Sequence, residues 1–136
     1  MALPKLSSLT ASYNQLNAKS FLVQDLKRAQ AETITQGCRG IFKIANDGES
    51  YSFGCDYLSY DVTDPPSADV VSFVRNLPED ITVESDIPII FNSQGRAVDI
   101  DGILTNVSVT FEESSSGSPE SFASGVLLGT GVFSYD

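Results

Sequence analysis

Histidine and tryptophan are absent from this chain of 136 residues, cysteine occurs twice and methionine once. Without histidine there is no Ser–His or Cys–His pair to activate a nucleophile, and most catalytic zinc sites lose their usual ligand. The missing tryptophan weakens the case for a sugar-stacking lectin. Positive charge is scarce: 8 Lys and Arg stand against 18 Asp and Glu, for a net charge of −10. That balance argues against nucleic acid or an anionic membrane as a partner. No run of about 18 apolar residues occurs, so nothing in the given sequence spans a bilayer as a helix. The opening "MALPKLSS" also lacks the apolar core of an export signal.

What remains is a single domain, large enough to bury a core. Its charge is unevenly distributed. Residues 1–43 carry six Lys or Arg against two acids, whereas residues 44–136 carry Arg75 and Arg96 against sixteen. A basic helical end and an acidic globular end suit head-to-stem packing between copies or relatives, although an ordinary solvated surface would look the same.

From Leu3 to about Gln36 the apolar residues recur at helical spacing: Leu6, Leu9, Tyr13, Leu16, Val23 and Leu26, widened by Phe21, Leu22 and Ala29. Pro4 falls where a first-turn proline is tolerated, and Gly37 is a natural C-cap. A rod of roughly 45 Å is longer than a domain about 30 Å across, so one end is expected to project. The polar half "SSLTASYNQLNAKS" suits an exposed stem, and "FLVQDLKRAQAETI" suits a helix packed on a sheet. Leu26, Ala29 and Ile34 are expected to be buried on that sheet, with Leu6 and Leu9 exposed.

After Gly37 the period changes to two. "CRGIFKIA", "NDGE" and "SYSFGCDYLSY" read as a hairpin, with Cys38, Gly40, Phe42 and Ile44 on one face and Tyr51, Phe53 and Cys55 on the matching face. "DVTDPPSAD" reads as a loop. The period of "VVSFVRNL" leaves strand and helical turn both open. "DITVES", "IPIIFN", "RAVDIDGI", "NVSVTFEE" and "SFASGVLLGTGVFSYD" read as short strands. The fold class is therefore α+β: a long N-terminal helix (residues 1–37) packed on an antiparallel β-sheet head (residues 38–136), together one domain.

The helix end carries a resemblance. "DLKRAQAETITQG" is similar to the D-L-x-x-A-R-x-E-A-I-x-x-G signature of the GspH/FimT-type minor pseudopilins, matched at Asp25, Leu26, Ala29, Glu32, Ile34 and Gly37. Gln30 stands for the usual Arg and Thr33 for the usual Ala. "IIFNSQGRA" resembles the family's I-x-F-x-x-x-G strand and turn through Ile89, Phe91 and Gly95, and "ALP" at Ala2–Pro4 resembles the end of a pilin transmembrane segment. The family's tryptophan-containing strand has no counterpart, since "YSFGCDYL" occupies that region.

The resemblance implies a pilin-like fold and a structural subunit, not an enzyme. It would work without cofactor or metal in a type II secretion pseudopilus or a type IV pilus, at or near the tip. It also implies an upstream basic leader, a cleavage site, N-terminal methylation and an apolar half-helix that holds the subunit in the inner membrane, with the head in the periplasm. Other pilins or pseudopilins would be the partners, through a stem face of Leu6, Leu9, Tyr13 and Leu16. The chain as given, without the apolar half, would be a monomer. An export-compartment setting also favours a disulfide between Cys38 and Cys55 over two buried thiols. Pairing them sets Phe42 opposite Tyr51 and Gly40 opposite Phe53.

Other motifs carry less. "DIDG", Asp99–Gly102, resembles the opening of a calcium loop but lacks further acidic ligands, so a polar turn is the expected reading. "NVS" at Asn106–Ser108 matches a glycosylation sequon and is given no role. No carboxylate pair is marked out for glycoside hydrolysis. The alternative function is a helix-mounted binding or adhesion module. It would contact a surface, glycan or exoprotein through Tyr57, Tyr60 and the "DVTDPPSAD" and "SSSGSPE" loops.

Overall fold

The computed structural model describes residues 3–57, 70–114 and 118–136; within the helix it describes side chains at residue 10 and from residue 12 onward. The element order is one helix, α1 (Leu3–Gln36), then nine strands. These are β1 (Arg39–Ile44), β2 (Ser50–Asp56), β3 (Val70–Asn76), β4 (Ile81–Ser85), β5 (Ile89–Phe91), β6 (Ala97–Val98), β7 (Val107–Glu113), β8 (Glu120–Leu127) and β9 (Phe133–Tyr135).

The helix has 34 residues, about 51 Å at 1.5 Å per residue. No glycine interrupts it, and its single proline lies in the first turn, so no backbone bond is lost. It stops at Gly37, where φ is +63°. There the Cys38 N–H donates to Thr33 C=O and the Gly37 N–H to Ile34 C=O, each at 3.3 Å. This is a Schellman cap, which only a residue at ease in the left-handed region closes without strain.

The head is two antiparallel sheets, where the sequence pattern suggested one. The first has the order β3-β2-β1-β5-β6 and the second β4-β7-β8-β9. "VVSFVRNL" resolves as strand β3, at the edge of the first sheet.

The β1–β2 register differs from the expected one by two residues. Gly40 lies opposite Cys55, Phe42 opposite Phe53 and Ile44 opposite Tyr51. The cause is the turn. Pairing Cys38 with Cys55 would leave two residues in it, whereas the chain uses the whole "NDGE" segment, with Ala45 N–H bonded to Ser50 C=O and Gly48 at φ +74°. A shift of two keeps every side chain on its face. The expected contacts therefore survive as diagonals: Phe42 and Tyr51 have ring centroids 4.8 Å apart. Cys38 and Cys55 form a disulfide across a Cα–Cα distance of 5.7 Å.

The core lies between helix and sheets. Ala18, Leu22, Leu26 and Ala29 pack with Phe42, Phe53, Ile89 and Phe91 of the first sheet and with Val83, Val109, Phe111 and Leu127 of the second. Both sheets and the helix thus share one cluster, as a single domain requires. Each of the larger side chains contributes roughly 1.5–3 kcal/mol by leaving water.

The helix–head junction as candidate functional site

The buried stripe of α1 is Ala18, Leu22, Asp25, Leu26, Ala29 and Thr33. Its spacing is that of one helix face, and the carboxylate inside it needs partners, because an unpaired buried charge is costly. Asp25 has them. The Tyr51 hydroxyl of β2 donates to Asp25 Oδ2 at 2.6 Å, and the Arg75 guanidinium of β3 donates from Nε at 2.8 Å and to Oδ1 from Nη2 at 3.2 Å. Burial, then the hydrogen bond and charge of Asp25, push the Tyr51 phenol above its usual range. The hydrogen bond to Asp25 likewise holds the Arg75 guanidinium protonated. Arg75 also covers the Phe21 ring, 4.3 Å from its centroid. One helical carboxylate thereby fixes the helix against two neighbouring strands.

The next motif positions continue the clamp. The Gln30 amide donates to Gly95 C=O at 2.6 Å and to Gly131 C=O at 2.9 Å, pinning α1 to the β5–β6 and β8–β9 turns. Glu32 pairs with Arg28 one turn earlier and accepts from the Ser72 hydroxyl of β3 at 2.5 Å. Thr33 is buried, its hydroxyl bonded to Ala29 C=O at 2.8 Å. A Cβ on Gly40 of the central strand would run into the Thr33 hydroxyl and come within 2.9 Å of the Phe53 ring, so glycine there lets helix and sheet touch. Near the C-terminus, the Tyr135 hydroxyl donates to Lys19 C=O at 2.6 Å. Burial pushes that phenol up as well.

Ile34 departs from expectation. It is 55% exposed, not buried. At about 100° per residue, position 34 falls on the side of α1 away from the Leu22–Leu26–Ala29 stripe. Ile34 instead lies over the β5–β6 turn, where a Cβ on Gly95 would meet its Cδ1 at 2.8 Å. Leu26 and Ala29 are buried as expected, and Ile89 and Phe91 are core residues. Gly95 takes φ +77° in its turn. Asp25 was marked by the motif resemblance without a contact assigned to it, whereas Gln30 as donor and Arg75 are junction residues that the sequence did not mark.

The stem half behaves differently. Tyr13 and Leu16 are each 65% exposed. On the helix, Tyr13 lies roughly opposite the buried stripe and Leu16 about 120° from it. Leu6 and Leu9 belong to α1, but their side chains lie outside the described residues.

The remaining candidates resolve as turns or fall outside the description. Asp99 Oδ1 accepts from the backbone N–H of Asp101 at 2.9 Å and of Ile103 at 3.0 Å, so "DIDG" is a side-chain-capped turn. Asn92 makes the same two bonds in "NSQG". Among the described residues no group of three or more His, Cys, Asp or Glu is placed to hold a metal. The Asn106 side chain accepts from Gly129 N–H. Tyr57 is 55% exposed, whereas Tyr60, "DVTDPPSAD" and part of "SSSGSPE" lie outside the described residues. No helix of the described residues is long and apolar enough to cross a membrane.

Solved structures share this arrangement. The type IV minor pilin FimU of Pseudomonas aeruginosa superposes with a TM-score of 0.68 at 13% identity, over 94% of this chain and 92% of that one. The minor pseudopilin EpsH of the type II secretion system of Vibrio cholerae superposes with a TM-score of 0.55 at 15% identity, over 90% and 94%. No protein-family model matches the sequence, and no curated protein does. At these identities the likeness establishes the fold, which is that of minor pilins and pseudopilins.

Proposed function

We propose that the chain is a structural subunit, a minor pilin or pseudopilin, that assembles with other such subunits at or near the tip of a type IV pilus or type II secretion pseudopilus. The observation that carries this reading is the division of labour along α1. Its C-terminal half is bolted to the head by Asp25, Gln30 and the buried stripe. Its N-terminal half turns Tyr13 and Leu16 away from that head. A helix made only to complete the core would need no such half. A rigid joint lets force or displacement on the stem reach the head without loss. The relatedness in fold to FimU and EpsH supports the same reading.

In this account the work is assembly, not catalysis. An apolar half-helix upstream holds the subunit in the inner membrane, with the acidic head in the periplasm. On extraction that half packs among neighbouring stems, with Leu6, Leu9, Tyr13 and Leu16 continuing the contact. The chain without the upstream half is a monomer or weak associate, because the apolar residues of its remaining stem are isolated and form no wide stripe. The reading frame upstream of Ala2 tests this: a leader, a cleavage site and about 20 apolar residues are expected. A stop codon or a polar extension there would overturn it.

A further inference from the structure

The outer edges of the two sheets are β3 and β6 in the first and β4 and β9 in the second. Three of them are short or already bonded. β6 has two residues, and Ala97 within it donates to Gly129 C=O and accepts from Thr105 N–H. β9 has three residues. On β4 the Val83 N–H donates to Gly48 C=O, outside its own sheet. β3 is longer, at seven residues, and has only β2 beside it. The Leu77 N–H donates to Glu49 C=O at 2.9 Å, which continues the β2–β3 register. Bonded pairs alternate with unbonded ones in an antiparallel ladder. Arg75 with Tyr51 and Phe73 with Phe53 are therefore bonded pairs, and the N–H and C=O of Val74 and Asn76 point away from β2.

Sheets protect such an edge with lysine, proline, a bulge or an inward charge. "VVSFVRN" has no lysine or proline. Its bulge, opposite Phe53 and Gly54, blunts only the start of the strand and leaves residues 73–77 regular. An inward charge deters pairing when pairing would bury it alone, but Arg75 already has Asp25. The outward groups of Val74 and Asn76 have the spacing of an extended backbone, so an extended chain is what satisfies them. One face of that chain would continue Val74, 61% exposed, so β-branched apolar residues suit it. The other face would lie beside the Phe73 ring and the Arg28 guanidinium stacked over it. β3 holds no acid, in a head whose residues 44–136 carry sixteen acids against two bases, and the Arg28 side chain beside it is 54% exposed. This edge therefore admits an acidic segment where the rest of the head repels one.

We infer that β3 is a strand-addition site, which an extended, apolar and acid-bearing segment of another pilin-class subunit joins to lengthen the first sheet by one strand. The inference rests on the subunit reading above and adds which surface of the head meets a neighbour, and by what chemistry. A second copy of this chain is not the occupant. The two-fold that pairs two β3 edges antiparallel stands across the sheet and reverses α1, whereas stems anchored in one membrane run the same way.

The test places a photo-crosslinking residue at Val74 in the chain expressed in its native host. The expected products join it to an extended segment of another pilin-class subunit, mapped by mass spectrometry. Asn76→Pro removes an N–H that β2 does not use, so the fold is kept, with the Phe73 and Arg75 amides still protected from hydrogen exchange. It should reduce the yield about tenfold, and Asn76→Ala should not. Arg28→Glu, at an exposed helix position, should reduce the yield independently and carries the test if the proline variant misfolds. Products with a second copy, with a helix or with proteins of other classes would overturn the inference, as would a yield that neither substitution changes. A probe at Leu16 separates the two readings. If it captures pilins in cells where Val74 captures nothing, strand addition falls and the subunit reading stands; if neither captures a pilin, both fall.

Discussion

Replacing Asp25 by alanine probes the joint between stem and head at its most buried point. Three hydrogen bonds end on this carboxylate, from Tyr51 at 2.6 Å and from Arg75 at 2.8 and 3.2 Å. The two partners do not lose equally. Tyr51 is 1% exposed, so its hydroxyl would be left without an acceptor inside the core, which costs roughly 1–3 kcal/mol. The Arg75 side chain is 35% exposed and rehydrates, so its share is held to about 1 kcal/mol or less. Alanine's better helix propensity returns about 0.5 kcal/mol. The net expectation is a loss of about 2–3 kcal/mol, or a midpoint shift of roughly 1–2 M in urea. Asp25→Asn keeps an oxygen for Tyr51 and should lose only about 1 kcal/mol. Combining Asp25→Ala with Tyr51→Phe should be less costly than the sum of the two by about 1 kcal/mol, because both remove the same bond. Equal small effects of alanine and asparagine, or strict additivity with Tyr51→Phe, would refute the clamp.

Leu22→Ala and Leu26→Ala, at 0% and 3% exposure, should each cost about 2–5 kcal/mol in the same assay, against under about 1 kcal/mol for Leu16→Ala. Removing the disulfide by Cys38→Ser with Cys55→Ser should cost about 3 kcal/mol in the chain-entropy account of a loop with a sequence separation of 17. Raised phenol pKa values for Tyr51 and Tyr135 mean that the unfolded chain releases these protons first, from its ordinary value of 10.0. Their contribution is therefore full below that pH and lost above it. Each should add about 1.4 kcal/mol of destabilisation per pH unit there, and Tyr51→Phe should remove one such increment from a stability–pH series.

The long helix was legible because 32 residues after Pro4 lack glycine and proline up to the Gly37 cap. The apolar period and the cap chemistry agreed, and the bounds Leu3–Gln36 match. The faces of the first hairpin were legible too, since alternation survives a register shift of two. The register itself was not. It depended on whether "NDGE" spends two residues or four in the turn, and composition does not decide between them. The split into two sheets depends on pairings far apart in sequence, such as β4 with β7, which no local period reports. At the junction, Leu26 and Ala29 followed from helical spacing, while Ile34 failed because its position lies off the stripe that Leu22, Leu26, Ala29 and Thr33 bury. Gln30 and Thr33 looked like departures from a family pattern. In the fold they are contacts, one to two turn carbonyls and one against the glycine that admits it. Arg75 could not be assigned to Asp25 from sequence, because fifty residues separate them.

The central claim is that the exposed stem belongs to an assembly of pilin-like subunits. It is tested most directly by a photo-crosslinking amino acid at Leu16, 65% exposed, introduced into the chain expressed in its native host. The account predicts crosslinks to other pilin-class subunits in the envelope fraction, lost when the same probe replaces the buried Leu22 on the docked face of the helix. Crosslinks only to proteins of other classes, or none in cells that assemble the machine, would contradict it.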